Sequence, residues 1–256
     1  TNPLTNKVIS GQYPPGSTFK MATGMAALDA GSIDANTHVH CPGYYMLGST
    51  KFHCWNKNGH GSVDVVAALR ESCDTFFYES GRRCGIDAIA KMARRLGLGD
   101  KLGFDVPGEV SGLVPDRAWK QNRYKQKWQQ GDTINSAIGQ GAMLATPLQL
   151  ATMTARLVNG GKAVKPVLVR YVEQEGNKVP EWSDTNFKKQ HLNLILRGME
   201  EVVNSGRGTA HGSAIKEPGM EMGGKTGTAQ VRRITLQQRE ARVKHQHLPW
   251  QWRPHA

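Results

Sequence analysis

Ser17 and Lys20 stand three residues apart directly behind Tyr13-Pro14-Pro15-Gly16. On a helix that spacing puts both side chains on one face, so a hydroxyl and an amine can meet. A serine at a helix start also feels the positive end of the helix dipole, which favours the alkoxide that an attack on a carbonyl requires. Lys20 opens an otherwise apolar run, where burial disfavours the charged amine and makes it a usable base. Ser72 and Asp74 set a hydroxyl and a carboxylate two residues apart, able to point the same way. Lys225-Thr226-Gly227-Thr228 has the look of a strand whose alternating side chains share one face, with Gly227 letting a ligand approach the backbone. Each pattern alone is common as a helix cap or a turn. All three in this order, the last behind Gly223-Gly224, point to acyl transfer through a nucleophilic serine.

Cys41, Cys54, His60 and Cys73 supply three thiols and one imidazole, the donor set of a structural Zn2+ site, although not at the spacing of a standard finger. Cys73 lies between Ser72 and Asp74; if those two face a cleft, Cys73 faces behind it. A metal there would pin the segment to the preceding loop. His60 is preferred over His38, His40 and His53 because Gly59 and Gly61 flank it and allow a tight turn. A Cys41–Cys54 disulfide and free thiols are the competing readings, and Cys84 is assigned to the core.

These groups need elements to hold them. The two prolines and Gly16 forbid helix, so a helix is predicted from Ser17 to Ala30, stopped by Gly31. Residues 38–62 mix His, Gly, aromatics and two cysteines without a period and are expected to be an irregular excursion over the surface. Helical spacing over 65–69 and 86–96 brackets the Ser72 segment, with a run of aromatics between. The stretch 97–132 is rich in Gly, Pro and charge and is expected to be loops. Thr146-Pro147 starts a helix that ends at Asn159-Gly160-Gly161. Residues 164–171 alternate like a strand, 186–203 form an amphipathic helix, 206–210 make a small-residue turn, and 223–231 lead into a strand.

At 256 residues, 38% hydrophobic and 21% charged, the chain can bury one sizeable core and is neither disordered nor fibrous. No window approaches the ~18 apolar residues of a membrane-spanning helix, and the start TNPLTNK has no signal pattern. The net charge is +12, with much of the excess in 117–127 and 232–253, both expected as exposed loops. Such stretches suit a solvated face, an anionic membrane surface or a phosphate-bearing lipid substrate. With no finger, RNP or GXXG element, nucleic acid is not expected as a partner.

Residues 11–20, 71–78, 139–151 and 224–231 resemble the transpeptidase domain of class B penicillin-binding proteins. The form Ser72-Cys73-Asp74-Thr75-Phe76-Phe77-Tyr78, with Asp where most relatives carry Asn, is most similar to the elongation-specific penicillin-binding protein 2 branch of Gram-negative bacteria, as are 128–132 and 248–253. The resemblance runs through essentially the whole chain. It implies an α+β fold, a five-stranded antiparallel sheet flanked by helices, with 1–256 as one transpeptidase domain carrying an insertion at 38–62. Two strands of that fold precede the Ser17 helix and others follow the Lys225 strand, so the chain is expected to be a core cut at both ends, weaker in stability and activity than an extended one.

The resemblance also implies roles. Ser17 attacks the carbonyl between the two terminal D-alanines of a peptidoglycan stem peptide and Lys20 takes its proton. Ser72 relays a proton to the departing D-alanine, and Lys225 tunes the field. The backbone N–H groups of Ser17 and Thr228 form an oxyanion hole, worth about 3 kcal/mol, while the Thr226 and Thr228 hydroxyls, either side of Gly227, grip the terminal carboxylate. A second strand's amine completes the cross-link, and β-lactams acylate Ser17 in place of substrate. Asp74 adds a negative charge that holds Lys20 or Lys225 charged, against a base role for Lys20. Implied partners are stem peptides, β-lactams, a membrane glycosyltransferase and elongation-complex proteins, at the periplasmic face of the inner membrane. Any Zn2+ is structural and not needed for acyl transfer. The alternatives are a D,D-carboxypeptidase or β-lactamase of the same fold, the latter lacking a clear additional glutamate motif, and a non-catalytic β-lactam sensor or scaffold.

Overall fold

The computed structural model describes residues 4–168 and 181–228. A single turn, α1 (Lys7–Ser10), is capped by Asn6, whose side chain accepts from Val8 N. Gly16–Phe19 forms a 3-10 turn that runs straight into α2 (Lys20–Asp29). Ser17 therefore sits in the 3-10 turn and the α-helix proper begins at Lys20, a shift from the expected start. α2 is buried from Lys20 to Leu28, as befits a helix apolar on all sides.

The segment expected to be irregular is built. β1 (Val39–Cys41) pairs antiparallel with β4 (Gly61–Val63), and β2 (Tyr44–Leu47) with β3 (Thr50–His53). Strands of three or four residues are too short to display a period of two in sequence. α3 (Val65–Arg70) starts at Asp64, whose side chain accepts from Ala67 N. α4 (Asp74–Arg95) takes in the aromatic run and the later helical stretch as one helix, kinked at Gly85 with φ 78°.

The stretch expected to be loops contains two helices, α5 (Arg117–Tyr124) and the start of α6 (Gln130–Ala137). Each is fixed by its cap: Asp116 accepts from Trp119 N, and Gln129 with Asp132 forms a capping box. α5 buries no residue, so it has no apolar stripe for sequence to reveal. α7 (Pro147–Val158) carries the Thr146–Gln149 capping box with proline in its first turn, and α8 (Lys189–Asn204) is the amphipathic helix. A short 3-10 turn, His211–Ser213, follows.

Two sequence-predicted strands are not ladders among the described residues. Residues 164–168 carry no assigned strand, the isolated Lys162–Asp184 bridge lying just before them, and 223–228 has no assigned strand partner; 169–171 and 229–231 lie outside the described residues. Among the described residues the fold is thus helices around a buried α2, with two small antiparallel ladders. The five-stranded sheet does not appear among the described residues. α2 packs on α4 and α8, and the core gathers Phe19, Met25, Leu69, Phe76, Phe77 and Ile195, each at most 1% exposed. That core carries the functional groups on its rim.

Candidate active site

Three segments distant in sequence close on one cleft of about 1490 Å³, lined by Ser17, Ser72, Asp74, Thr226, Gly227 and Thr228 among others. The Ser17 turn is anchored from behind. Gly16 N donates to Gly139 O at 2.9 Å, and Tyr13 exchanges backbone bonds with Ala145. Gly139 has φ 69°, and a Cβ there would lie 2.4 Å from Gly16 O, so only glycine allows this approach.

Ser72 is presented by the end of α3. Cys73 N donates to Ala68 O at 2.9 Å and Ser72 N to Leu69 O at 3.2 Å, the paired bonds of a Schellman turn. Its left-handed position, normally glycine, is Ser72 itself at φ 54°. A non-glycine residue held there costs free energy that the surrounding structure must offset. Trp55 contributes: its indole Nε1 donates to Glu71 O at 3.1 Å and Ser72 O at 3.0 Å, and its backbone N to Asp74 Oδ2 at 2.8 Å.

Lys20 lies beneath the cleft, wholly buried. Its Nζ donates to Ser72 O at 2.8 Å, Ser72 Oγ at 3.1 Å and Asp74 Oδ1 at 2.6 Å. Three acceptors use all three protons of an ammonium, and Ser17 Oγ is not among them. The expected Ser17–Lys20 contact is therefore not made here, because the Asp74 carboxylate holds the amine toward α4. Of the two lysines that Asp74 was expected to hold, the ion pair is with Lys20. Lys225 Nζ approaches from the other side, 2.9 Å from Ser72 Oγ. Burial, then the Lys20 charge, pushes the Lys225 amine down to about 7, with Asp74 pulling weakly the other way.

Behind Ser72, the donor atoms of Cys41, Cys54, His60 and Cys73 all lie within 4.8 Å of one another, and all four residues are buried. His60 Nδ1 stands 3.5 Å from both Cys41 Sγ and Cys54 Sγ, so His60 is the imidazole brought to the cysteines. The cysteines are free thiols, without the Cys41–Cys54 disulfide, and Cys84 is half-buried outside the cluster. A hydrogen bond from Cys73 lowers the Cys54 thiol's pKa, helped by His60, and the same contact raises Cys73. Burial works against a charged His60, yet the Cys54 and Cys41 sulfurs raise it to about 9. Three sulfurs and one nitrogen at this closeness fit a tetrahedral thiophilic cation such as Zn2+.

Trp55, Asn135, Gln140 and Thr209 also line the cleft and were not singled out in sequence. Trp55 follows Cys54 directly and Gln140 lies inside the 139–151 stretch, whereas Asn135 and Thr209 stand beside no residue whose type suggests chemistry. The basic stretch at 117–127 is mostly the helix α5, partly neutralised by Arg117–Asp87 and Lys120–Asp132 pairs; 232–253 lies outside the described residues.

Comparison with known proteins gives a consistent result. Residues 1–250 match the penicillin binding protein transpeptidase domain. The chain is similar to peptidoglycan D,D-transpeptidase MrdA of Acinetobacter baumannii, 40% identical over 239 residues, covering 91% of this chain and 35% of that protein. It is similar to Pseudomonas aeruginosa PBP2 solved in complex with WCK 5153, with TM-score 0.85 and 40% identity over 90% of this chain and 53% of that one. It is also similar to Helicobacter pylori PBP2 solved in complex with MreC, with TM-score 0.82 and 39% identity over 90% of this chain and 42% of that one. The chain spans about a third of the length of the curated relative.

Proposed function

The chain belongs to the penicillin-binding protein transpeptidase family, and from that premise we propose that it is the cross-linking core of a peptidoglycan D,D-transpeptidase acting through a serine acyl-enzyme. The observation that carries the reading is the meeting of Ser17, Thr226 and Thr228 with a Ser72 hydroxyl contacted by two lysine amines, all in one cleft. Ser17 Oγ attacks the carbonyl carbon of the penultimate D-alanine, and its proton enters the Lys20–Ser72–Lys225 chain. Lys225, near 7, is the member with a lone pair in part of the molecules at neutral pH. The bond to the terminal D-alanine breaks and that amine leaves with a proton returned through Ser72. The backbone N–H groups of Ser17 and Thr228 stabilise the oxyanion, and the Thr226 and Thr228 hydroxyls hold the terminal carboxylate beside Gly227. A second peptide's amine then attacks the ester, forms the cross-link and restores the Ser17 hydroxyl.

Transpeptidation is favoured over β-lactam hydrolysis by the carboxylates available. Among the described residues lining the cleft, Asp74 is the acidic one, and its oxygens are engaged by Lys20 Nζ and Trp55 N. No free carboxylate stands ready there to activate water against the acyl-enzyme.

Cys41, Cys54, His60 and Cys73 would hold a structural Zn2+, which when bound supplies a rigid cross-link and no step of acyl transfer. Through Cys73 it would fix Ser72 and Asp74 against the β1–β4 segment. The substrates are peptidoglycan stem peptides, the inhibitors β-lactams, and the setting the periplasmic face of the inner membrane. The partners are elongation-complex proteins, of which MreC, seen with H. pylori PBP2, is the type, together with a membrane glycosyltransferase. No helix of the described residues is long and apolar enough to cross a membrane.

The reading is tested by incubating the chain with a D-alanyl-D-alanine stem peptide and an amine acceptor. Release of D-alanine with a matching yield of cross-linked dimer is expected, both lost in Ser17→Ala. Release of D-alanine without dimer would make it a carboxypeptidase, and the absence of both products would overturn the reading.

A further inference from the structure

Thr226 Oγ1 has a neighbour that none of the chemistry above uses. It lies 2.8 Å from Thr209 Oγ1, and Lys225 Nζ donates to it from 3.4 Å. A hydroxyl owns one proton and two lone pairs. If Thr226 gave its proton to Thr209, it would turn only lone pairs toward the cleft, and a carboxylate there would be repelled. If Thr209 gives its proton to Thr226, both lone pairs of Thr226 are filled, by Thr209 and Lys225, and its own proton must point elsewhere. The open direction is the cleft, which Thr226, Thr228 and Thr209 all line.

Either hydroxyl can donate in this contact, and Thr226 Oγ1 is the only hydrogen-bond partner of Thr209 Oγ1 among the described residues, so the second arrangement needs nothing beyond these two side chains and Lys225. The turn that carries Thr209 is held from three sides. Thr209 N donates to Arg70 O at 3.2 Å, Ala210 N to Val202 O at 2.9 Å, and Arg207 Nη2 reaches Glu71 Oε2 at 2.7 Å. A Cβ on Gly208 would lie 2.2 Å from Val202 O, so the turn sits hard against the end of α8. The same backbone that presents Ser72 thus also fixes the height of Thr209 over Thr226.

We propose that Thr209 is a positioning residue for the substrate's terminal carboxylate: it donates to Thr226 Oγ1 and so commits the single Thr226 proton to the cleft. The inference rests on the transpeptidase reading of that cleft. It assigns specificity for an anionic terminus to a hydroxyl outside the Lys225–Thr228 motif, acting by proton orientation and not by contact.

The test compares acylation of the chain by benzylpenicillin and by its methyl ester, which keeps the reactive ring but lacks the anion. Thr209→Val, close in shape and without a donor, should slow acylation by the acid about tenfold, the size of one lost hydrogen bond, and leave the ester rate unchanged. Thr209→Ser should restore the acid rate to within about twofold. The double variant Thr209→Val/Thr226→Val should be no slower than Thr226→Val alone, because the two hydroxyls act as one unit. Equal slowing of acid and ester would assign Thr209 a purely structural role and overturn the proposal, as would an unchanged acid rate. Should Thr209→Val not fold, Thr209→Cys gives the same comparison with a poor donor. If the unsubstituted chain forms no adduct with benzylpenicillin, the transpeptidase reading fails and the inference falls with it. If the adduct forms and the acid-to-ester ratio does not move, the inference alone fails.

Discussion

The ammonium of Lys20 stands 2.6 Å from Asp74 Oδ1, with the lysine side chain fully buried and that of Asp74 11% exposed. This pair ties the start of α2, one turn past Ser17, to the first residue of α4, two past Ser72. It also separates the two lysines: Lys20 has a carboxylate of its own, while Lys225 faces the Lys20 charge with Ser72 between them.

Removing one partner of a buried pair strands the other's charge. Asp74→Ala should therefore destabilise the chain by about 3 kcal/mol in urea unfolding. Asp74→Asn keeps an oxygen for Lys20 and should cost markedly less. Equal losses in the two variants would show that Lys20 requires the negative charge itself, and that an acceptor oxygen in the same place does not substitute for it.

Acylation should depend on pH through Lys225. Its folded pKa, about 7, is below the ordinary lysine value, so protonation on lowering the pH removes the lone pair. The acylation rate should rise with pH to a plateau, with a midpoint near 7 set by burial and by Lys20 and Asp74, the charged groups facing it. Lys225→Arg should flatten that limb, and His53→Gln, which alters another cleft-lining residue, should leave it. A limb that survives in Lys225→Arg would place the base elsewhere.

The sulfur–nitrogen cluster predicts one Zn2+ per chain by elemental analysis. Stripping it with a chelator should lower the unfolding midpoint by about 10 °C, as expected for losing roughly 3 kcal/mol in a chain of this size, and should slow acylation of Ser17 as well. Cys73→Ser should reproduce both effects. A metal-free chain with an unchanged midpoint after chelation would remove the metal from the account.

Gly139→Ala tests the support under Ser17. A side chain there meets Gly16 O at 2.4 Å while φ stays at 69°, so a loss of about 2 kcal/mol or more in unfolding is expected, together with slower acylation. Unchanged unfolding would mean that the Ser17 turn shifts freely.

The sequence made the site more legible than the frame around it. Ser17, Ser72 and 225–228 could be read because the proposed nucleophile, relay and carboxylate grip need fixed residue types in a fixed order, and the cysteine–histidine set because thiols and an imidazole are scarce. α7 and α8 were readable from a capping box and an apolar stripe. α5 was not, since it buries nothing, and β1 to β4 are too short for a period. The direction of Lys20 was hidden as well: spacing put it beside Ser17, whereas a carboxylate 54 positions on decides where its amine points. Thr209 was hidden because its partner is 17 residues away, across a turn that reads only as small residues.

The most direct test of the central claim is the intact mass of the chain after exposure to a penicillin at neutral pH, followed by peptide mapping. A single adduct, persisting over hours, located on Ser17 and absent from Ser17→Ala, is the predicted result. An adduct on another residue, or one that forms equally in Ser17→Ala, would contradict the account.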